Sequence, residues 1–220
     1  MAQVAGKYDL SGDEARAMEP NLSEKASKVL YVPNAGIICP YELTIAAVGN
    51  AMDNGVTLKR NFNVTEILQN NDVFTVTAEH GETVQTKYLV NCAGGGSDKI
   101  AALAGDGFFT VIPRAGEYML LDKLEGGMVK HTIFQVPSKE GKGILVTPAV
   151  DGNLLTGPTA LKVETPESVE TTAEGLAMVS RLAAKSVPSV NFRQVITSFT
   201  GVRSSEKGGD FLLQPSKSMP

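Results

Sequence analysis

Residues 87–98 most constrain the fold, because they pass from an apolar, strand-like sequence through three consecutive glycines to the start of a helix. Only glycine lets a backbone turn sharply while it lies close to a bulky planar ligand. Ser97 or Asp98 can cap the helix expected at 100–103. The stretch predicts a strand, a glycine turn and a helix at the edge of a cofactor site, although a tight connection without a ligand has the same pattern.

The composition is that of an ordinary globular protein, with 42% hydrophobic and 20% charged residues. The net charge of -4 and the absence of long basic runs argue against nucleic acid as a partner. No apolar stretch is long enough to span a bilayer, and no signal-peptide pattern opens the chain. Cys39 and Cys92 have no second Cys or His at ligand spacing, so we expect no metal site, no disulfide scaffold and a cytoplasmic protein.

The first half of the chain predicts two helices and a meander of strands. Ser11 and Glu14 form a capping box before a short helix that Pro20 ends. Apolar residues at helical spacing predict a second helix at 41–54, which an Asn-Gly pair stops. The strands predicted in this half are 29–32, 57–62, 63–70, 72–79 and 83–90.

The second half predicts short strands separated by Gly, Pro and Lys turns, with one long helix. The helix is expected at 172–186, where apolar residues recur on one face. The strands are expected at 108–111, 116–121, 131–136, 143–147, 153–157 and 195–202. This pattern predicts an α+β fold with a large mixed or antiparallel sheet flanked by helices.

Seven short motifs occur in a fixed order along the chain. They are Glu-Pro-Asn-Leu at 19–22, Ala-Gly-Ile at 35–37 with Pro-Tyr at 40–41, Asn-Val-Thr at 63–65, Val-Asn-Cys-Ala-Gly at 90–94 with Ser-Asp at 97–98, Pro-Arg-Ala-Gly-Glu-Tyr at 113–118, Gly-Asn-Leu-Leu-Thr-Gly-Pro at 152–158, and Phe-Thr-Gly-Val-Arg at 199–203. In this order they resemble the flavin-dependent oxidoreductases of the D-amino-acid-oxidase-like superfamily. Within it, the chain resembles FAD-dependent glycerol-3-phosphate dehydrogenases and 2-hydroxyglutarate oxidases.

The resemblance implies FAD as the cofactor and a division of the chain into two parts. A substrate-binding part takes 1–35 and 105–200, and a partial FAD-binding part takes 36–104 and 201–220. The family holds the FAD pyrophosphate on a Gly-x-Gly-x-x-Gly turn before a helix, and none of the 22 glycines here has that spacing. We therefore expect this chain to be an internal segment of a longer two-domain enzyme. We expect the segment by itself not to bind FAD.

Oxidation of a small anionic alcohol needs a cation for the anion and a base for the hydroxyl proton. The resemblance places Arg203 at the substrate carboxylate or phosphate, for which its planar fork is suited. Ser204 departs from the family, which usually has Pro after this arginine. Arg114 and Tyr118 lie on the strand that floors the substrate cavity in the family. For all three candidates, an ordinary residue at a strand surface is the alternative.

His131 is the candidate catalytic base, because imidazole accepts protons near neutral pH. A structural role is the alternative, and the other histidine, His80, lies in a turn where we expect it to be solvated. Related hydroxy-acid oxidases carry a histidine where this chain has Val146 and Thr147. The identity of the base therefore stays open.

Four residues are assigned to the cofactor by the resemblance. It implies that Val64 reads the FAD adenine through its backbone, and that Ala93 and Gly94 pass under the adenosine-pyrophosphate region. Gly201, in the turn before the substrate arginine, is the fourth. Gly96 departs from the family, which commonly has an aromatic residue there.

The predicted function is oxidation of glycerol 3-phosphate, or of a similar anionic 2-hydroxy acid, by hydride transfer to FAD. An amine or amino-acid oxidase of the same superfamily is one alternative, and a non-catalytic binding domain on the flavoenzyme scaffold is another. A small anionic molecule is the expected partner. The sequence leaves open a homodimer and a peripheral attachment to a membrane.

Overall fold

The computed structural model describes residues 8–137, 143–206 and 211–219 and confirms the predicted α+β class. The chain divides into two compact units. The first comprises Met1–Leu43, Ala115–Leu161 and Val169–Gly201, and the second comprises Thr44–Arg114, Lys162–Ser168 and Val202–Pro220. In chain order the elements are β1 (Tyr8–Ser11), α1 (Gly12–Met18), β2 (Lys28–Tyr31), α2 (Pro40–Asp53), β3 (Val64–Asn70), β4 (Val73–Ala78), β5 (Thr83–Thr86), α3 (Ser97–Leu103), β6 (Ile112–Leu121), β7 (Leu145–Pro148), β8 (Leu154–Gly157), β9 (Leu161–Lys162), α4 (Ala173–Ser186) and β10 (Val195–Ser205).

A two-stranded antiparallel sheet and a short helix begin the first unit. Strands β1 and β2 pair from Tyr8 opposite Tyr31 to Ser11 opposite Lys28. The predicted capping box is confirmed, because Glu14 N donates to Ser11 Oγ at 3.3 Å and Ser11 N donates to Glu14 Oε2 at 2.8 Å. Both bonds satisfy amides that the first helical turn leaves unpaired, which explains why α1 begins there.

The larger sheet has the strand order β10, β6, β8, β7, with β9 beside β6. Strand β8 runs antiparallel to both β6 and β7, and the register places Thr156 opposite Met119 and Val146. The apolar face of α4 packs on these strands, as its periodicity predicts. The buried core of the first unit includes Met119, Leu121, Val146, Leu154, Val179 and Ala183.

Strands β3, β4 and β5 form the predicted antiparallel meander in the second unit. Val76 in the middle strand lies opposite Ile67 on one side and Val84 on the other. The register shifts between Val64 and Glu66 at the start of β3. Apolar cross-strand neighbours of this kind stabilise a sheet of three strands.

Of the strands predicted beside this meander, one is absent and one is shorter than predicted. Residues 57–62 do not form a strand, because Asn61 adopts a φ of 57°, which interrupts an extended backbone. The strand predicted at 83–90 ends at Thr86, whose Oγ1 donates to Tyr88 O at 2.8 Å and accepts from Tyr88 N at 3.3 Å. This local turn uses the backbone groups that a neighbouring strand would need, so the glycine motif follows an exposed loop.

The helix after the glycines begins earlier than predicted, and neither Ser97 nor Asp98 caps it through a side chain. Ser97 Oγ instead donates to Gly94 O at 2.8 Å. Asp98 Oδ2 accepts from Val111 N at 3.0 Å. Because this bond uses the Val111 amide, the strand predicted at 108–111 is also wrong, and β6 begins just after it.

The strand predicted at 131–136 is reduced to an isolated bridge between Ile133 and Val146. At its start, the backbone amide of His131 donates to Glu19 Oε1 at 2.7 Å. The carboxylate therefore satisfies an amide that a partner strand would otherwise pair. A contact distant in sequence overrides the local strand propensity.

The buried carboxylate of Asp106 holds the last described residues in the second unit. It accepts from Lys217 N at 3.1 and 3.2 Å and from Ser218 N at 2.9 Å. The hydroxyl of Ser216, with further hydrogen bonds from Ser218 and Lys217, holds the pKa of the Asp106 carboxyl below its ordinary value against the opposing effect of burial. The ionised carboxylate thus stabilises this attachment.

Candidate functional site

The two candidate substrate arginines lie on adjacent strands, at the ends of those strands that belong to the second unit. Arg203 is on β10 and Arg114 is on β6, and both side chains are exposed. Ser205 Oγ donates to Ile112 O at 2.7 Å, which places the end of β10 beside the start of β6. Within the described residues, neither guanidinium has a hydrogen bond or an ion pair. Each arginine therefore presents its charge and its donors to solvent.

Tyr118 belongs to the first unit and is packed against two neighbours there. Its ring stacks on Phe199, with ring centroids 5.2 Å apart and an angle of 13° between the planes. Gly157 has a φ of 134° and lies so close that a Cβ there would be 2.8 Å from Tyr118 Cδ1. Phe199 remains 45% exposed, so the aromatic pair has both a packed and an open side.

Glu117, which the sequence reasoning did not single out, is a charged side chain with only 1% exposure. Its Oε1 accepts from Thr172 N at 2.5 Å and from Thr172 Oγ1 at 2.9 Å. Its Oε2 accepts from Thr159 Oγ1 at 3.1 Å. Thr172 is the N-cap of α4, so the carboxylate also lies at the positive end of a helix dipole.

A sequence signal for Glu117 exists in the alternation of β6. Ala115, Met119 and Leu121 are buried and share one parity along the strand. Glu117 has the same parity and therefore faces the same buried side. A glutamate at a core-facing strand position is rare unless it has partners, and that rarity could have marked it.

His131 is held by a buried carboxylate in the first unit. Its Nδ1 lies 2.6 Å from Glu19 Oε1, and its side chain is 43% exposed. The ring also makes an edge contact with Tyr31 at 5.6 Å between centroids. Glu19 fixes the orientation of the imidazole and directs the other ring nitrogen away from the carboxylate.

The glycines assigned to the cofactor have unfilled space beside their backbone. Ala93 and Gly94 are exposed, and Gly94 has a φ of 56°. A Cβ built at Gly94 or Gly201 would meet no heavy atom within 4 Å. Val64 is half-buried at the start of β3. Open glycine backbone fits the close approach of a planar group, so these residues are compatible with a dinucleotide cofactor.

Two kinds of site are missing from the part of the chain that the structure describes. No group of three or more His, Cys, Asp or Glu side chains there is arranged to hold a metal ion. None of the helices in the described ranges combines the length and apolarity needed to cross a bilayer. Cys39 and Cys92 are both free thiols.

Comparison with known proteins connects this architecture to a family of relatives. The chain is 41% identical over 207 residues to a glycerol 3-phosphate dehydrogenase of Caloramator mitchellensis, covering 94% of this chain and 43% of the relative. It is 29% identical to a glycerol 3-phosphate oxidase of Mycoplasma genitalium, covering 96% of this chain and 56% of the relative. The chain thus spans about half the length of these relatives.

Solved structures agree with the sequence comparison. Dithionite-reduced L-alpha-glycerophosphate oxidase from Mycoplasma pneumoniae with FAD bound superposes with a TM-score of 0.90 at 27% identity, covering 100% of this chain and 59% of that one. A glycine oxidase from Geobacillus kaustophilus has a TM-score of 0.84 at 22% identity, over 98% of this chain and 56% of that one, and shows the same fold. The family model for FAD dependent oxidoreductases, DAO, matches residues 2–219. The resemblance seen in the seven motifs is therefore confirmed, and the chain belongs to the DAO family of FAD dependent oxidoreductases.

Proposed function

We propose that the whole protein oxidises glycerol 3-phosphate, or a similar anionic 2-hydroxy acid, by hydride transfer to FAD. The 41% identity to the glycerol 3-phosphate dehydrogenase of Caloramator mitchellensis supports this reaction. The described residues offer arginine side chains that can bind the anionic group of such a substrate. The alternatives are an amine or amino-acid oxidase and a non-catalytic binding domain.

The observation that carries the proposal is the pair of exposed arginines on adjacent strands. Arg203 lies two residues before Ser205, and Arg114 lies two residues after Ile112. Because Ser205 bonds Ile112 and side chains alternate along strands, we infer that the two guanidinium groups share one face. Like charges that face each other across a sheet repel, and a phosphate or carboxylate between them removes the repulsion with charge-assisted hydrogen bonds.

Val64, Ala93, Gly94 and Gly201 are the residues that we propose contact FAD. Bound FAD supplies the acceptor for the substrate hydride. Open backbone at the two glycines leaves room for a planar group, as described above. A variant with a side chain at Gly94 would fill that space and is expected to lower the FAD content of the whole protein.

His131 remains our candidate for the group that takes the hydroxyl proton. Its support is the hydrogen bond to Glu19 at 2.6 Å, which orients the imidazole as bases are oriented in other enzymes. The same hydrogen bond would also be formed if His131 had only a structural role. Replacing His131 with Gln separates the two roles, because loss of the base lowers kcat while loss of a structural contact lowers stability.

We also propose a cytoplasmic location and a small anionic substrate as the partner. Free Cys39 and Cys92 support a reducing compartment. The net charge of -4 gives no support to nucleic-acid binding. Cell fractionation tests the location and any membrane attachment, and light scattering of the whole protein tests whether it forms a homodimer.

The reaction is tested by anaerobic mixing of the FAD-loaded whole protein with glycerol 3-phosphate, L-2-hydroxyglutarate or glycine. Bleaching of the flavin absorbance by an anionic hydroxy compound supports the proposal. Bleaching by glycine alone identifies an amino-acid oxidase instead. A protein that carries FAD but is reduced by none of the three contradicts the proposed reaction.

Arg203→Lys and Arg203→Ala test the anion anchor. Lysine keeps the charge but loses the planar fork, so it should weaken substrate binding by about 1–3 kcal/mol, roughly 5- to 150-fold. Alanine should cost more. Arg181→Ala on α4 is the matched control, because it removes another exposed arginine and should leave KM unchanged. Wild-type kcat/KM in Arg203→Ala would place the anchor elsewhere.

A further inference from the structure

We propose that Glu117 is a positioning residue that fixes the ring of Tyr118 for substrate binding, an inference that rests on the proposed function. Glu117 and Tyr118 are consecutive residues of β6, so their side chains leave opposite faces of the strand. Glu117 is buried, whereas Tyr118 is half-buried beside the partly exposed Phe199. Because both residues share one stretch of strand backbone, the position of the Tyr118 ring depends on how firmly Glu117 is held.

Three hydrogen bonds to the carboxylate hold Glu117, and its backbone adds two more. Glu117 N donates to Thr159 Oγ1 at 3.0 Å, and Thr159 N donates to Glu117 O at 3.2 Å. The regular pairing of β6 with β8 runs from Leu121 only as far as Met119. Glu117 lies beyond the end of this pairing, where Thr159 bonds its backbone and Thr172 bonds its carboxylate.

The neighbours of Tyr118 leave its ring little freedom once β6 is held. Gly157 lies directly against the ring and the Cα of Tyr118. Phe199 stacks on the ring with nearly parallel planes. A shift of β6 at Glu117 would therefore move the ring against Gly157 or away from Phe199, because a packed side chain cannot absorb such a shift by itself.

The chemistry of a carboxylate is needed at this position. The groups around it are donors: a backbone amide and a hydroxyl of Thr172, and the hydroxyl of Thr159. An ionised carboxylate is an acceptor at both oxygens. In Glu117→Gln, an NH₂ group on the Thr172 side opposes the Thr172 amide, and one on the Thr159 side forces the Thr159 hydroxyl, which already accepts from Glu117 N, to turn away and accept a second bond. Either arrangement changes the hydrogen bonds that hold the side chain, although its size is kept.

The test compares Glu117→Gln, Tyr118→Phe and the double variant in the FAD-loaded whole protein. Glu117→Gln should raise KM for glycerol 3-phosphate roughly 3- to 30-fold, with kcat changed less than about twofold. In the Tyr118→Phe background the same change should have no further effect on KM. Thr159→Val removes the hydroxyl that donates to Glu117 Oε2 and accepts from Glu117 N, and it should act in the same direction.

Glu125→Gln is the matched control, because Glu125 is also buried in the first unit, at 9% exposure, and accepts from Asn191 N at 3.3 Å. It should lower the unfolding midpoint without changing KM. An equal rise in KM from Glu117→Gln with and without the Tyr118 hydroxyl, or an equal rise from Glu125→Gln, would overturn the proposal.

A second readout does not depend on the reaction. The whole protein is labelled with fluorotyrosine, and the fluorine resonance of Tyr118 is assigned by its loss in Tyr118→Phe. Glu117→Gln should shift or broaden this resonance, and Glu125→Gln should not. If glycerol 3-phosphate fails to reduce the wild type, the proposed function is wrong, yet this signal still tests the positioning role. An unchanged resonance in Glu117→Gln would refute it.

Discussion

Replacing Gly175 with alanine should destabilise this protein, although the same change stabilises most helices. Gly175 lies in the first turn of α4, and its Cα faces the Glu117 carboxylate. A Cβ built there overlaps the carboxylate group and lies 2.5 Å from Oε1. The carboxylate is buried, so it can make room only by giving up its hydrogen bonds to Thr159 and Thr172.

The expected magnitude follows from two opposing contributions to the free energy of unfolding. Disrupting the contacts of a buried charge costs about 3–5 kcal/mol. The higher helix propensity of alanine offsets about 1 kcal/mol of this loss. The net destabilisation is therefore about 2–4 kcal/mol, which lowers the unfolding midpoint by roughly 5–15 °C for a domain of 150–250 residues.

Thermal unfolding followed by far-ultraviolet circular dichroism measures the effect. Gly49→Ala is the matched control, because Gly49 lies within α2 and a Cβ there meets no heavy atom within 4 Å. It should stabilise the protein by about 0.5–1 kcal/mol. In a Glu117→Ala background, Gly175→Ala should cease to destabilise, because the overlapping group is gone.

Unfolding of Gly175→Ala at the wild-type temperature or above, while Glu117 is present, would contradict this prediction. An equal loss of stability in the presence and in the absence of the Glu117 side chain would contradict it too. Either result would mean that the carboxylate is not held where its hydrogen bonds place it.

Two further predictions concern a helix cap and a pH-dependent attachment. Ser11→Ala should lower the free energy of unfolding by about 1 kcal/mol, because it removes the cap on Glu14 N, and urea unfolding measures the loss. The hydrogen bond from Ser216 is the largest of the causes that hold the pKa of Asp106 below its ordinary value. The stabilisation that the ionised Asp106 carboxylate gives is therefore present at neutral pH. That stabilisation is lost as the pH falls below about 4 and through the lowered pKa. The hydrogen-exchange protection of the amides at 217–218, taken relative to the intrinsic exchange rate at each pH, should then fall, as it should at neutral pH in Asp106→Asn. Protection at 217–218 that is insensitive to both changes would contradict this role.

Local patterns predicted those elements whose partners lie nearby in sequence. The capping box of Ser11 and Glu14 needs only a three-residue separation, and α1 begins there. The apolar stripe and the N-cap Thr172 were sufficient to locate α4. The order of seven motifs identified the family because it combines residues from nearly the whole chain. These features depend on short-range geometry or on sequence order, both of which can be read without coordinates.

Other predictions failed where a distant or unexpected contact satisfied the backbone. The strand expected at 131–136 lost its pairing because Glu19, far away in sequence, takes the amide of His131. The strand expected at 108–111 lost the Val111 amide to Asp98. Strand propensity describes how well side chains suit a sheet, but it does not say which acceptor each amide will find.

The sequence by itself determined the α+β class, the family and the candidate residues Arg203, Arg114, Tyr118 and His131. Tertiary structure alone decided which of these side chains are held and by what. It left both arginines exposed without partners among the described residues, joined His131 to Glu19, and buried Glu117 beside α4. The physical reason is that a side chain's charge is set by its type, whereas its burial and its hydrogen-bond partners arise only when distant segments pack together.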